Sequence, residues 1–375
     1  MGRRKAVPER RRVTDPETLA LDTRIRAAIE RYALDDAAFT ALARDLFAYQ
    51  VARCAPYAAY ARSRGFDAAT LPERVEDIPA APARAFKEAR LAAFPPEQTA
   101  ACFRTSGTTD GRPGRHEMAT TALYRAALLA SFDRMLLGDG ARLRYALLVP
   151  EPRECPHSSL GFMMDVIARE RGDGAHGWYL RGEDIDLDRF IDDARRARDA
   201  GRALCVAATA FALLALLDAL AERRITLALP PGSRVMETGG FKGRSRSVAR
   251  TELYREASRR LGIPIPAIVA EYGMTELSSQ YYDAPEDRGR IEPRRMIAPP
   301  WLRAIVVDGE GRPLPQGVVG AVHHVDLANR DSVVAVETED LGALAPGGLI
   351  LLGREQGAEL RGCSLDAESL LARRG

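Results

Sequence analysis

The segment Arg104-Thr105-Ser106-Gly107-Thr108-Thr109-Asp110-Gly111-Arg112-Pro113-Gly114-Arg115 concentrates residue types that bind anions. Glycine lets the backbone take positive φ and come close to a ligand. Successive N–H groups in such a turn form a concave nest for an anion. The hydroxyls of Thr105, Ser106, Thr108 and Thr109 add donors, and Arg112 and Arg115 add charge. The segment reads as a phosphate-binding loop, with a solvated glycine turn as the plain alternative. It lacks the G-x-x-x-x-G-K-[ST] spacing of a P-loop.

Further segments carry matching chemistry. Ala270-Glu271-Tyr272-Gly273-Met274-Thr275-Glu276 follows the apolar run Ile263 to Val269. Glu276 offers the hard oxygen that Mg²⁺ prefers, commonly one or two carboxylates completed by substrate phosphates. Beyond it lie Thr338-Glu339-Asp340-Leu341-Gly342, then Gly353-Arg354 followed by Arg361-Gly362. Between the first two segments, Thr238-Gly239-Gly240-Phe241-Lys242-Gly243-Arg244 follows a predicted strand.

In this order, "TSGTTxG", "YGMTE", the "TGDLG"-like "TEDLG" and "GR…" resemble the adenylate-forming superfamily of acyl-CoA synthetases, peptide-synthetase adenylation domains and firefly luciferase. The "TGG-aromatic-K" form, with "IPAAPARAFK" (Ile78 to Lys87) and "RGCSL" (Arg361 to Leu365), resembles the LuxE-type acyl-protein synthetases over about Leu34 to Leu370. The resemblance implies that ATP is bound and a carboxylic acid activated to an acyl-adenylate. Thr105, Ser106, Gly107, Thr108 and Thr109 would close over the β- and γ-phosphates. Gly239 and Gly240 would flank adenine, and Tyr272, before Gly273, would stack on it. Thr275 would contact the α-phosphate and Glu276 would hold Mg²⁺. Asp340 would accept the ribose hydroxyls, with Arg354 reaching the same sugar. The family's loop lysine is missing; Arg115 stands where it would supply the charge, and an arginine can hold phosphate bidentately. Lys242 would neutralise phosphate charge, with a surface lysine the equal alternative.

Only 21 residues follow Arg354, whereas the superfamily carries a mobile domain of about a hundred residues there, the size of an ordinary small domain. The reading is therefore of a truncated C-terminal domain. Cys363 lies in that stub, where the LuxE-type resemblance implies a cysteine that takes the acyl group; thiolate is the competent nucleophile, and Arg361 would favour it. An incidental small residue is the alternative.

These groups must be positioned by an α/β fold. Pro16 to about Gly65 reads as helices, with Asp35 and Asp36 as N-cap candidates. Thr121 to Leu137, Phe211 to Ala221 and Val248 to Leu261 also read as helices. Strands are expected at Tyr145 to Val149, Ala203 to Ala207, Ser233 to Met236 and Ala267 to Ala270. This alternation predicts mostly parallel sheets covered by helices. After Tyr282, short strands at Trp301 to Val307, Gly320 to Val325, Ser332 to Glu337 and Leu349 to Leu352 predict a small antiparallel or barrel-like lobe. The expected division is a disordered basic tail over 1–15, a large adenylate-forming domain over 16–353 with its β lobe at about 295–352, and a hinge and stub over 354–375.

Composition narrows the classes. The chain has 375 residues, 46% hydrophobic and 28% charged, with formal charge +2. That is a globular composition without the basic excess of a nucleic-acid binder. The longest apolar stretch, Val206 to Leu217, is too short to span a bilayer, and no apolar segment behind the basic start marks a signal peptide. Cys54, Cys102, Cys155, Cys205 and Cys363 form no C-x-x-C pair, which argues against a disulfide framework or a zinc site and for a cytoplasmic protein. His157 reads as a pocket or turn residue. His323 and His324 read as structural, one facing in and one out. Phe162, Met163 and Met164 read as core by default, with an acyl channel as the alternative. The expected partners are the carboxylic acid and an acyl acceptor such as a reductase. A phenylacetate-type CoA ligase and a non-catalytic nucleotide-binding scaffold are the rival readings.

Overall fold

The structure is a computed structural model that describes residues 15–105, 112–182, 184–239, 249–290 and 293–354. Its spine is a 12-stranded sheet. The strands Gly172–Trp178, Leu143–Leu148, Leu204–Thr209, Arg234–Thr238 and Ile268–Tyr272 lie side by side and parallel. Side-chain alternation splits them between two cores. Ala146, Leu148, Val206, Ala208 and Val235 face one way. Tyr145, Leu147, Cys205, Ala207 and Met236 face the other.

Helices Leu187–Asp199, Ala210–Glu222 and Arg250–Leu261 cover the first face, and Ala122–Met135 and Ser159–Arg171 the second. Both faces of a parallel sheet must be covered, so the middle strands Leu143–Leu148 and Leu204–Thr209 are almost wholly buried. Ala210–Glu222 is buried on several sides, at Leu213, Leu214, Leu216, Leu217 and Leu220. Each such leucine contributes about 1.5–3 kcal/mol relative to exposure.

At Tyr281–Asp283 the sheet turns antiparallel. It continues through Met296–Ile297 into the meander Leu302–Val307, Val319–Asp326, Ala335–Ala345 and Gly348–Arg354. The β lobe is thus hydrogen-bonded edge to edge with the parallel half. The turning point is pinned by Asp283, which accepts from Arg288 Nε (2.9 Å) and from buried Arg294, whose Nη1 also donates to Ile268 O at 2.6 Å. The stiff connector around Pro79 ends as a short strand, Ala81–Pro82, parallel to Val336 and Glu337.

The N-terminal helices Pro16–Arg31, Asp36–Arg53 and Ala55–Ser63 pack on the meander's inner side, at Trp301, Val325 and Val333 to Val336. Asp35 is the N-cap, accepting from Ala38 N at 2.8 Å. The basic tail before Asp15 lies outside the described residues. Among the described residues, no helix is long and apolar enough to cross a membrane.

Candidate active site

A hairpin of Ala101–Arg104 and Arg115–Met118 frames the candidate phosphate loop. At its mouth Thr105 N donates to Gly114 O (3.1 Å), and Gly114 N donates to Thr105 Oγ1 (2.9 Å). Arg104 and Arg115 are register partners, both exposed. A clasp fixes the hairpin to the loop after strand Leu143–Leu148: Arg104 N donates to His157 O, and His157 Nδ1 to Cys102 O, each at 2.9 Å. His157, left open between pocket and turn, thus secures the hairpin. Ser106, Gly107, Thr108 and Thr109 lie outside the described residues, as do Gly240, Lys242 and Cys363.

The hairpin reaches Thr275 through His116, whose Nδ1 donates to Thr275 O at 2.7 Å. Thr275 Oγ1 lies 3.4 Å from Ser159 Oγ, in the first turn of helix Ser159–Arg171, which Ser158 caps through Gly161 N. Thr275 therefore joins three elements: the hairpin, that helix start and the carboxyl end of Ile268–Tyr272. In open α/β sheets, ligands bind outside the carboxyl ends of parallel strands. Gly239 occupies the corresponding end of Arg234–Thr238 with φ +73°, a conformation glycine adopts freely. Gly273 has a different constraint. A Cβ there would stand 2.7 Å from Glu271 Oε1, and the Glu271 carboxylate accepts from Thr238 Oγ1.

Glu276 is buried, and its carbonyl accepts from Asn329 Nδ2 at 2.8 Å. The following residues are clamped by Asp326, which accepts from Ser278 N (2.8 Å) and Ser279 Oγ (2.7 Å). Burial pushes the Asp326 carboxyl up to about 6. Among the described residues, no three His, Cys, Asp or Glu side chains cluster to hold a metal. A single carboxylate would suit Mg²⁺ only with phosphates completing its shell.

Asp340 and Arg354 are register partners on adjacent antiparallel strands, which brings the two expected ribose contacts together along the backbone. Tyr272 Oη donates to Asp340 Oδ2 at 2.7 Å, so the meander meets the parallel half here. His324 is fully buried behind Tyr272 and His323 is partly exposed, as the alternation predicts. Met163 and Met164 are core residues, and Phe162 stacks on Tyr124 with centroids 5.5 Å apart.

Sequence reasoning missed His116 and Ser159 as parts of this constellation. The hairpin and the capped helix at Ser158 were both readable from local pattern. Their contact with Thr275 was not.

Burial drives the His116 imidazole down to about 4 from its ordinary 6.5. The folded protein holds it neutral, whereas the unfolded chain protonates it near 6.5. Its stabilising contribution is therefore complete above pH 6.5 and is lost as pH falls toward 4, by at most about 1.4 kcal/mol per pH unit. His323 (about 4) and His324 (about 3) act in the same direction, while Asp326 opposes them between 3.8 and 6. Thermal unfolding followed from pH 7 to 4.5 should show a falling midpoint. His116→Asn, whose amide can still donate to Thr275 O, should make that fall shallower. An unchanged slope would remove His116 as a source of the acid sensitivity.

The profile of the family described as acyl-protein synthetase, LuxE, matches residues 32–371. No curated protein sequence matches the chain significantly. Among solved structures, ATP-bound MatB from Rhodopseudomonas palustris aligns with TM-score 0.51 at 19% identity, over 68% of this chain and 48% of that one. A 2-hydroxyisobutyryl-CoA ligase in an open conformation, with 2-HIB-AMP and CoA, aligns with TM-score 0.64 at 16% identity, over 85% of this chain and 74% of that one. The chain spans about half the length of the MatB chain. These likenesses show the fold: it is that of the adenylate-forming enzymes, as the motif order led us to expect.

Proposed function

The chain belongs to the LuxE acyl-protein synthetase family, and on that premise we propose that it activates a carboxylic acid with ATP and passes the acyl group onward. A carboxylate oxygen attacks the α-phosphorus, the bond to the bridging oxygen breaks, and acyl-adenylate and pyrophosphate form. The acyl group then moves from the adenylate to Cys363, releasing AMP, or directly to an external acceptor such as a reductase cysteine, an amine or a thiol.

The observation that carries this reading is the junction at Thr275, where the loop-bearing hairpin, the start of Ser159–Arg171 and the end of Ile268–Tyr272 meet. Attack of one anion on another is opposed by repulsion, so the chemistry calls for fixed donors and positive charge. Thr275 supplies a hydroxyl for the α-phosphate. Arg104 and Arg115 stand opposite each other at the loop mouth. Like charges directly opposite on a hairpin are destabilising. A phosphate between them would offset that repulsion, and Arg115 would then stabilise the transition state. Lys242 would add charge from the segment after Gly239 and Gly240, beside the adenine. Glu276 would hold Mg²⁺, which when bound screens the phosphate oxygens. Asp340 and Arg354 would hold the ribose, and Thr105 to Thr109 the β- and γ-phosphates.

Mixing the protein with ATP, Mg²⁺ and a panel of aliphatic and aromatic carboxylates tests the reading. Pyrophosphate should appear only with a carboxylate that fits. No release with any of them would leave a nucleotide-binding scaffold as the better account, whereas release independent of carboxylate would mark an ATP-cleaving enzyme that does not activate acids. Label released from the protein by hydroxylamine separates an acyl-protein synthetase from a CoA ligase, which would form a free thioester instead.

A further inference from the structure

Behind Asp340 runs a buried chain of hydrogen bonds. Tyr281 Oη lies 2.8 Å from His324 Nδ1, His324 Nε2 lies 3.1 Å from Tyr272 Oη, and Tyr272 Oη lies 2.7 Å from Asp340 Oδ2. The protons can be assigned from the last bond backward. A carboxylate only accepts, so the Tyr272 hydroxyl proton points to Asp340. Tyr272 Oη then accepts from His324 Nε2–H. The neutral ring is left with a bare Nδ1, which accepts from Tyr281 O–H. Burial favours that neutral ring, and Tyr281 and His324 are both sealed from solvent. Every donor along the chain thus points toward Asp340.

Packing alone does not call for this order. Tyr272 and Tyr281 bracket the imidazole with ring centroids 5.7 and 5.3 Å away, so apolar contact is already supplied. What the polar chain adds is orientation at its partly exposed end. With Oδ2 held by Tyr272, the Asp340 carboxylate has a fixed direction. We propose that His324 is a positioning residue for the nucleotide: acting through Tyr272, it sets the Asp340 carboxylate to accept the ribose hydroxyls and so makes the site selective for ribonucleotides over 2′-deoxyribonucleotides. This rests on the reading of Asp340 as the ribose acceptor.

Calorimetric affinities of the full chain for ATP and 2′-deoxyATP test it, alongside the melting temperature of each variant. The wild type should prefer ATP by about tenfold or more, the scale of a hydrogen bond to a charged acceptor. Asp340→Ala should abolish that preference. His324→Ala should reduce it to about twofold or less, with ATP losing more affinity than 2′-deoxyATP, because the latter has only its 3′-hydroxyl to lose from Asp340. His324→Gln, whose side-chain amide can donate to Tyr272 Oη, should restore part of it. Tyr281→Phe removes only the donor that fixes the tautomer and should give an intermediate preference; with His324→Gln it keeps the test decisive if His324→Ala fails to fold.

Two results would overturn the inference while leaving the ribose reading intact. One is undiminished preference in His324→Ala and Tyr281→Phe. The other is an equal loss of both affinities in step with a lowered melting temperature, which would make His324 a core residue only. If the wild type and Asp340→Ala bind the two nucleotides with the same lack of preference, the ribose reading itself fails, and the inference with it.

Discussion

Cys363→Ser should abolish hydroxylamine-sensitive acyl-enzyme and leave carboxylate-dependent pyrophosphate exchange almost intact. The two effects separate because adenylation precedes transfer and uses other residues. Sulfur suits the second step: a few per cent of a free thiol is ionised near neutral pH, whereas a serine hydroxyl needs a dedicated base. The remaining cysteines sharpen the test. Cys54 and Cys205 are buried, and burial pushes their thiols up, Cys205 to about 12. Burial also raises the thiol of Cys102. Cys155 is exposed, on the loop whose His157 clasps the phosphate hairpin. It is the competing acceptor, and Cys155→Ser is the matched control. Acyl-enzyme that persists in Cys363→Ser and vanishes in Cys155→Ser would move the acceptor into the described fold. Persistence in both variants would turn attention to residues other than these two cysteines.

Glu276→Gln should lower adenylation by at least ~10²-fold, the scale of losing one charge-stabilising group at a reacting centre. The substitution keeps the shape of the side chain. The turn at Asn329 should also survive, because Asn329 Nδ2 donates to the Glu276 carbonyl, not its carboxylate. A melting temperature near that of the wild type would accompany the loss of rate. The Mg²⁺ concentration for half-maximal pyrophosphate release should rise as well, since a neutral amide is a poorer ligand than a carboxylate. A wild-type rate at saturating Mg²⁺ would remove Glu276 from the chemistry.

The sequence by itself determined the alternation of strands and helices, the change to antiparallel strands beyond Tyr282, and a helix cap at Asp35 or Asp36, of which the structure uses Asp35. Those features are local. Strand alternation, helical spacing and capping each act within a few residues, so pattern alone reveals them. The order of the motifs led to the family in the same way. Local pattern also held the hairpin around the phosphate loop, in Ala101–Arg104 and Arg115–Met118, though their shortness hid them beside the glycines.

Only the tertiary structure decided how these segments meet. His116 lies 159 residues from Thr275, and Tyr272 lies 68 from Asp340. Neither bond is implied by any local spacing. The expected β lobe proved continuous with the parallel half because Tyr281–Asp283 and Met296–Ile297 pair across the junction. His323 and His324 look alike in the sequence. The pleat alone separates them, sending His324 inward to Tyr272 and Tyr281. Such contacts escape a linear reading because chain folding, not propensity, brings distant side chains within hydrogen-bonding reach, and a polar group buried by that folding must then find its partner there.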